Sequence, residues 1–227
     1  MKNKQLSLPK NEVDSVFALY LDNKFQDAIN KIKDLNDRYP NEPLLFNLIG
    51  ACYKELGHLE GAAKMFEAAV SINPKYAEAH FNLGVIYQAL DRLEDAVDSY
   101  MKAIAITPNY PEAYNNLGTA LKDLGRLDEA IKNFIKAIAN NQNFPQAYYN
   151  YGSTLLDLGR MDTAIEMFEK AIALNPSYAE AFNNLGVTFK ELGQQDSAVK
   201  YYQKALDIKS DYAEAHNNLG LVFMNLG

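Results

Sequence analysis

With a single cysteine, Cys52, in 227 residues, the chain has no intrachain disulfide. That fits a reducing compartment or a fold that needs no covalent staple. Positive charge is also scarce: 22 lysines and arginines against 29 acids leave a net charge of −7. Nucleic acid would repel such a chain, and an anionic membrane surface is disfavoured for the same reason. Long apolar runs are missing too. Residues 1–8 are polar apart from two leucines and the initial methionine, and carry no secretory signal; no stretch approaches a membrane span. A cytoplasmic protein is therefore expected. The three histidines, His58, His80 and His216, lack metal-ligand spacing and have no cysteine partner. The glycines lie too far apart for a phosphate loop, and no base is placed to activate Cys52. Nothing calls for a catalytic residue, a metal or a cofactor.

What is present is a strict period. Gly50, Gly84, Gly118, Gly152, Gly186 and Gly220 recur every 34 residues without insertion or deletion. A fixed period of this length signals a repeat array, in which each unit packs only on its neighbours. With Pro43 as position 1, five full units run 43–76, 77–110, 111–144, 145–178 and 179–212. Residues 213–227 form the first helix of a further unit. A weaker unit, 9–42, has Ala28 at position 20, Pro40 at position 32 and Val16 in place of the glycine. Residues 1–8 read as a disordered tail.

Each unit reads as two helices. Apolar or small residues at positions 4, 7, 8 and 11 form one stripe of the first helix, as in Tyr114, Leu117, Gly118 and Leu121. Position 15 is a break: Gly57, Gly125, Gly159, Gly193 and Gly227, with Asn23 and Asp91 elsewhere. An acid at position 18 (Glu60, Glu94, Asp128, Asp162, Asp196) stands where it can cap the second helix and complement its dipole. Pro74, Pro108 and Pro176 stop that helix. Glycine at position 8 and alanine at position 20 predict close approach of the two helices. The aromatics at position 24 (Phe66, Tyr100, Phe134, Phe168, Tyr202) are expected to fill space between units. His80 and His216, at position 4, and Cys52, at position 10, read as packing residues. Tyr76, Tyr110, Phe144, Tyr178 and Tyr212, at position 34, read as turn packing.

This pattern resembles the tetratricopeptide repeat family. Positions 4, 7, 8, 11, 20, 24, 27 and 32 carry the likeness, as in Phe46, Ile49, Gly50, Tyr53, Ala62, Phe66, Ala69 and Pro74. It covers residues 9–227. It implies an all-α fold, a right-handed superhelical α-solenoid of antiparallel helix pairs whose first helices line the concave side. Segments such as AEAHFNLG, PEAYNNLG and AEAFNNLG further resemble the repeats of O-linked N-acetylglucosamine transferases. They are also similar to bacterial proteins with such repeats before a transferase domain.

On a helical wheel, positions 2, 6, 9 and 13 of the first helix lie opposite its apolar stripe and form the candidate binding face. Position 6 is asparagine five times in succession: Asn82, Asn116, Asn150, Asn184 and Asn218. Asparagine costs about 0.5 kcal/mol against alanine inside a helix, on the order of 2–3 kcal/mol for five. Its amide can bond both the N–H and the C=O of an extended peptide. Repeats spaced by about 10 Å would match about three extended residues per rung. The transferase-like repeats are likewise known for an asparagine ladder on the concave face. A second reading stays open: the amides bond one another or water. Leu48 and Asp14 occupy position 6 in the two N-terminal units, so the row is expected to stop before that end.

The rest of the stripe is acidic, with Glu55, Glu78, Glu112, Asp123, Asp157, Glu180, Glu191 and Glu214. Lys54, Lys122 and Lys190 lie beside it at position 12. The candidate peptide-binding set is the five asparagines with Glu78, Glu112, Asp123, Glu180, Glu214, Lys122 and Lys190. The expected partner is a protein or extended peptide of polar or basic character, steered by charge. Two alternatives remain: the substrate-recognition region of a larger glycosyltransferase-like enzyme, and a module that self-assembles through its solenoid ends. The last helix has an uncovered stripe, His216, Leu219, Gly220 and Phe223. Either further repeats follow in a longer protein or that face pairs with another copy.

Overall fold

The computed structural model describes residues 8–226, and these hold thirteen helices and no strand. The helix pairs are α1 (Lys10–Leu21) with α2 (Phe25–Arg38), α3 (Pro43–Glu55) with α4 (Leu59–Ile72), and α5 (Ala77–Ala89) with α6 (Leu93–Ile106). Then come α7 (Pro111–Asp123) with α8 (Leu127–Asn140), α9 (Pro145–Asp157) with α10 (Met161–Leu174), and α11 (Ala179–Glu191) with α12 (Gln195–Ile208). α13 (Ala213–Leu226) is the last element. Of the expected tail, residues 1–7 lie outside the described residues, as does Gly227. Leu8 is half-buried against the core built by α1, α2 and α3. No helix among the described residues is long and apolar enough to cross a membrane.

The chain divides into two compact units at Ala113–Tyr114, within α7. Inside each unit one rule repeats. First helices occupy positions 1–13 of the 34-residue frame and second helices positions 17–30, with α1 beginning and α13 ending one residue later. The turn between them is left-handed at position 15: Gly57, Gly125, Gly159 and Gly193 have φ of 70–75°, and Asn23 and Asp91 φ of 58° and 59°. Glycine takes this conformation without steric cost, and Asn and Asp are the side chains that tolerate it. In one such turn the Gly125 N–H donates to the Lys122 carbonyl and the Arg126 N–H to the Leu121 carbonyl, each at 2.8 Å. These bonds satisfy the last carbonyls of the first helix.

Re-entry into helix is so fast that position 18 is already helical. The N-caps are His58, Arg92, Arg126, Arg160 and Gln194, none with a capping side-chain bond. The acids expected as caps stand instead in the first turn, where they favour the positive end of the helix dipole.

Small residues set the spacing within each pair. A methyl group added at Gly50, Gly84, Gly118, Gly152 or Gly186 would come within 2.9 Å of the position-24 ring of the same repeat, and within 2.6 Å at Gly118. The aromatics thus close on the bare glycine backbone of their own repeat and also fill the space between repeats, where Phe168 clusters with Ile131 and Leu185 and Tyr202 with Val222. The position-20 alanines, Ala28 through Ala198, are fully buried beside them. The first repeat reaches the same closeness by exchange. There Val16 replaces glycine, Ile32 replaces the aromatic, and both are fully buried.

First helices are buried on a second side as well. Position 3 (Leu45, then Ala79, Ala113, Ala147, Ala181 and Ala215) is at most 1% exposed. Position 10 (Cys52, Ile86, Ala120, Thr154, Thr188, Val222) is equally closed. This stripe packs on neighbouring repeats, where α3 touches α5, α9 touches α11 and α11 touches α13. The odd helices therefore stand side by side in a row within each unit.

Gly118→Ala should overpack the Phe134 contact and cost about 1–3 kcal/mol. Gly220→Ala, with nothing within 4 Å of the new methyl group, should instead stabilise α13 by up to about 1 kcal/mol. Thermal melts followed by circular dichroism should move in opposite directions for the two variants.

Candidate functional site

Asn82 sits on the odd helices of the first unit and Asn116, Asn150, Asn184 and Asn218 on those of the second, and all five are half-buried. Position 9 is half-buried beside them from Ala51 to Val187. Positions 2 and 13 stand higher: Glu78, Glu112, Glu214, Glu55, Asp123, Asp157 and Glu191 are exposed, and Glu180 is half-buried. The face thus has a floor at positions 6 and 9 and acidic margins at 2 and 13. At the N-terminal end Leu48 takes position 6 inside the core, 5% exposed, and Asp14 points to solvent.

Each position-6 amide is held by a neighbour. Asn82 donates to Asn47 at 3.1 Å, Asn150 to Asn115 at 3.0 Å, and Asn218 to Asn183 at 3.1 Å. Asn184 donates to the Tyr149 hydroxyl at 3.3 Å. Asn116 accepts from Asn115 at 3.3 Å. The acceptors across the repeat junction come from position 5, which sequence reasoning missed, with the position-9 hydroxyl of Thr119 a further acceptor for Asn150 at 3.4 Å. Asn47, Asn115 and Asn183 are at most 5% exposed. Two of them also reach the acid at position 2 of the following repeat: Asn47 donates to Glu78 at 3.3 Å and Asn183 to Glu214 at 3.0 Å. One buried amide therefore couples a floor asparagine to a marginal carboxylate.

From Asn47 to Asn183 position 5 alternates, and Asn217 in the last unit departs from the pattern. Between those asparagines stand Phe81 and Tyr149. Each ring pairs with the position-34 tyrosine of its own repeat, Phe81 with Tyr110 and Tyr149 with Tyr178, at centroid distances of 5.0 Å. Position 12 alternates in step: Lys54, Gln88, Lys122, Leu156 and Lys190. Positions 5 and 12 are two helical turns apart on one face. This two-repeat alternation is the signal that could have exposed the network.

Electrostatics separate the two margins. Lys54 pairs with Glu55 at 3.0 Å, Lys122 with Asp157 at 3.0 Å, and Lys190 with Glu191 at 3.7 Å. Lys122 also donates to the Ser153 hydroxyl at 2.7 Å. The lysines thus offset the acids at position 13, whereas the acids at position 2 face amides and phenols. Burial, then Glu78 and Glu112, push the Tyr110 phenol up to about 12. Burial, then Glu180 and Glu214, raise Tyr149. These phenols stay protonated at neutral pH and keep a hydrogen to donate.

His80 and Cys52 pack as expected, whereas His216, also expected to pack, is exposed. His80 is 7% exposed and its Nε2 meets the Pro74 carbonyl at 3.0 Å; His216 meets the Ser210 carbonyl at 2.9 Å. Cys52 is buried, and burial pushes its thiol up to about 11. A cavity of about 750 Å³ lies at the α3–α4 turn, lined by Tyr53, His58 and Met65, none of them a residue of the row.

A tetratricopeptide repeat model matches residues 109–174 and 143–211, and a TPR repeat model matches 50–91 and 89–125. No curated protein sequence matches the chain. Among solved structures, MamA is 31% identical, covering 73% of this chain and 97% of its own, with a TM-score of 0.67. YrrB, described as a TPR protein with an unusual peptide-binding site, is 23% identical over 82% of this chain and 96% of its own, TM-score 0.68. The pilF protein of Pseudomonas aeruginosa is 15% identical over 91% and 94%, TM-score 0.79. The last two bear on fold alone. None of these matches is specific to the glycosyltransferase repeats that the asparagine pattern resembles.

Asn183→Ala strips partners from Glu214, Asn184 and Asn218 inside a closed junction. It should cost about 1–3 kcal/mol, the usual loss when a buried polar group is left unpaired. The exposed pair Arg92–Asp95 is a useful contrast, since solvent screens it and Arg92→Met should change stability far less than Asn183→Ala. Denaturant unfolding of the two variants checks the ranking.

Proposed function

The chain belongs to the tetratricopeptide repeat family, and from that premise we propose that it works by binding, holding an extended polypeptide segment along the row of odd helices within a unit. The carrying observation is the row of position-6 amides, half-buried and held in place from the side. An amide has two donor hydrogens and an acceptor with two lone pairs. The cross-junction bonds use one hydrogen of Asn82, Asn184 and Asn218 and fix the side chain's direction. The remaining capacity would serve a main chain, which offers both an N–H and a C=O at every residue but proline.

Prior fixing matters because a side chain that is already ordered loses less entropy on binding. It also reconciles the two readings of the asparagines. Amides that bond one another can still present their second hydrogen to a ligand. In the second unit Asn116, Asn150, Asn184 and Asn218 supply four rungs. Because rungs of this kind read main chain, the segment's sequence would be constrained little by the floor and more by the acidic margins. Service as the substrate-selecting part of a larger transferase rests on the sequence resemblance alone.

Asn116, Asn150 and Asn184 changed together to alanine should weaken binding of extended peptides by about tenfold or more, at about 0.5–1.5 kcal/mol per lost bond. Fluorescence anisotropy with a labelled peptide captured from a random-sequence array provides the measurement. A parallel Asn→Ser triple, which keeps a small polar side chain, guards against a folding defect. Undiminished affinity in both folded variants would remove the ladder from the mechanism.

A further inference from the structure

A packing rule of the repeats has an exception in the first unit. Phe46, Tyr114, Tyr148 and Phe182 hold position 4 of their repeats. In two of these a lysine at position 26 of the same repeat lies over the ring: Lys136 is 5.5 Å from the Tyr114 centroid and Lys204 5.5 Å from that of Phe182. Phe182 is buried and shares a cluster with Ile172, from position 28 of the preceding repeat. The 77–110 repeat keeps the lysine, Lys102, but has His80 in place of the ring.

A cavity of about 490 Å³ lies at that place, between α4 and α6. Val70, at position 28 of the preceding repeat, lines it with Pro74, His80, Lys102, Ala105 and Ile106. None of these residues stands at positions 2, 6, 9 or 13 of a first helix. His80 is held back from filling the space, because its Nε2–H donates to the Pro74 carbonyl at 3.0 Å. Among the described residues no carboxylate lies within ion-pair distance of Lys102. Glu67, on the same wall, accepts instead from the Tyr87 hydroxyl at 2.8 Å. Met101, one turn before Ala105 on α6, extends the apolar surface and is 55% exposed.

We propose that this cavity receives a phenylalanine or tyrosine ring from a partner polypeptide. The chain's own repeats identify the occupant. Where position 4 carries a ring, the ring sits beneath the position-26 lysine; here Lys102 and Val70 are in place and the ring is missing. An incoming ring covers Val70 and Ile106 and gives the Lys102 ammonium the electron-rich face it lacks. An aliphatic side chain would cover the same walls and leave the ammonium unmatched. The site lies on the second-helix side of the first unit and stands independently of the asparagine row.

The test titrates acetyl-Gly-Phe-Gly-amide into the full chain, with the cyclohexylalanine counterpart as control, while NMR follows the methyl groups of Val70, Ile106 and Val187. The Phe peptide should shift Val70 and Ile106 and leave Val187, at position 9 on α11, in place. It should bind about two- to fivefold tighter than the cyclohexyl peptide, and Lys102→Met should remove that margin. His80→Phe supplies a ring from within, as Phe182 does, and should block both peptides. Ala105→Leu, at an exposed position of the cavity wall, should block them without touching the core, so a folding defect in the histidine variant leaves the test intact. Unmoved Val70 and Ile106 signals, equal affinity for the two peptides, or undiminished binding by Ala105→Leu would overturn the site. The asparagine triple variant should bind the Phe peptide as before. Loss of binding there would assign the peptide to the row and remove this proposal.

Discussion

An aromatic ring resting on a glycine backbone fixes everything else in this chain. The contact leaves no room for a methyl group in five successive repeats, so the two helices of each pair are locked at one distance. Close packing of this kind resists small adjustments, because a buried ring has nowhere to go. Once the pair is rigid, the alanines at position 3 and the small residues at position 10 let the next first helix come in flush. Within each unit the odd helices then stand in line without any element devoted to aligning them. The first repeat shows that volume is the controlled quantity, since Val16 and Ile32 meet the constraint with different shapes.

That rigidity is what makes a polar floor affordable. Asparagine within a helix and buried amides at a junction are both unfavourable on their own. They are tolerated because Asn47, Asn115 and Asn183 find acceptors or donors on the adjoining repeat at hydrogen-bond distance. The network also shares out the acids. Lysines take the acids at position 13, and amides and phenols take those at position 2. The row therefore has one margin that is internally balanced and one whose negative charge is directed outward.

Much of the architecture was legible in the sequence. The period gave the repeat, and the left-handed turn residues gave the helix ends, including Asn23 and Asp91. The face bearing Asn82 to Asn218 followed from helical geometry. What escaped were features that depend on neighbours. Position 18 does not cap because the helix already begins at position 17, after an N-cap at position 16 two residues before the acid. The ring at position 24 does face the neighbouring repeat as expected, but its contact with the glycine of its own repeat was not visible because a helical wheel does not show which backbone lies across from a ring. Positions 3 and 10 escaped because a wheel drawn for one helix pair shows one buried side, whereas a helix in a row has two. Asn47, Asn115 and Asn183 were overlooked because they recur in alternate repeats, and a search at the 34-residue period averages them away.

The alternation at position 5 has a bearing on how such a chain can change in length. Asn184 finds its acceptor on Tyr149, Asn150 on Asn115. Excising one repeat would set mismatched edges against each other, and excising two in succession would restore the original edge. The natural module for insertion or loss is thus a doublet, and gene rearrangements that respect it would pass with little damage where single-step ones would not.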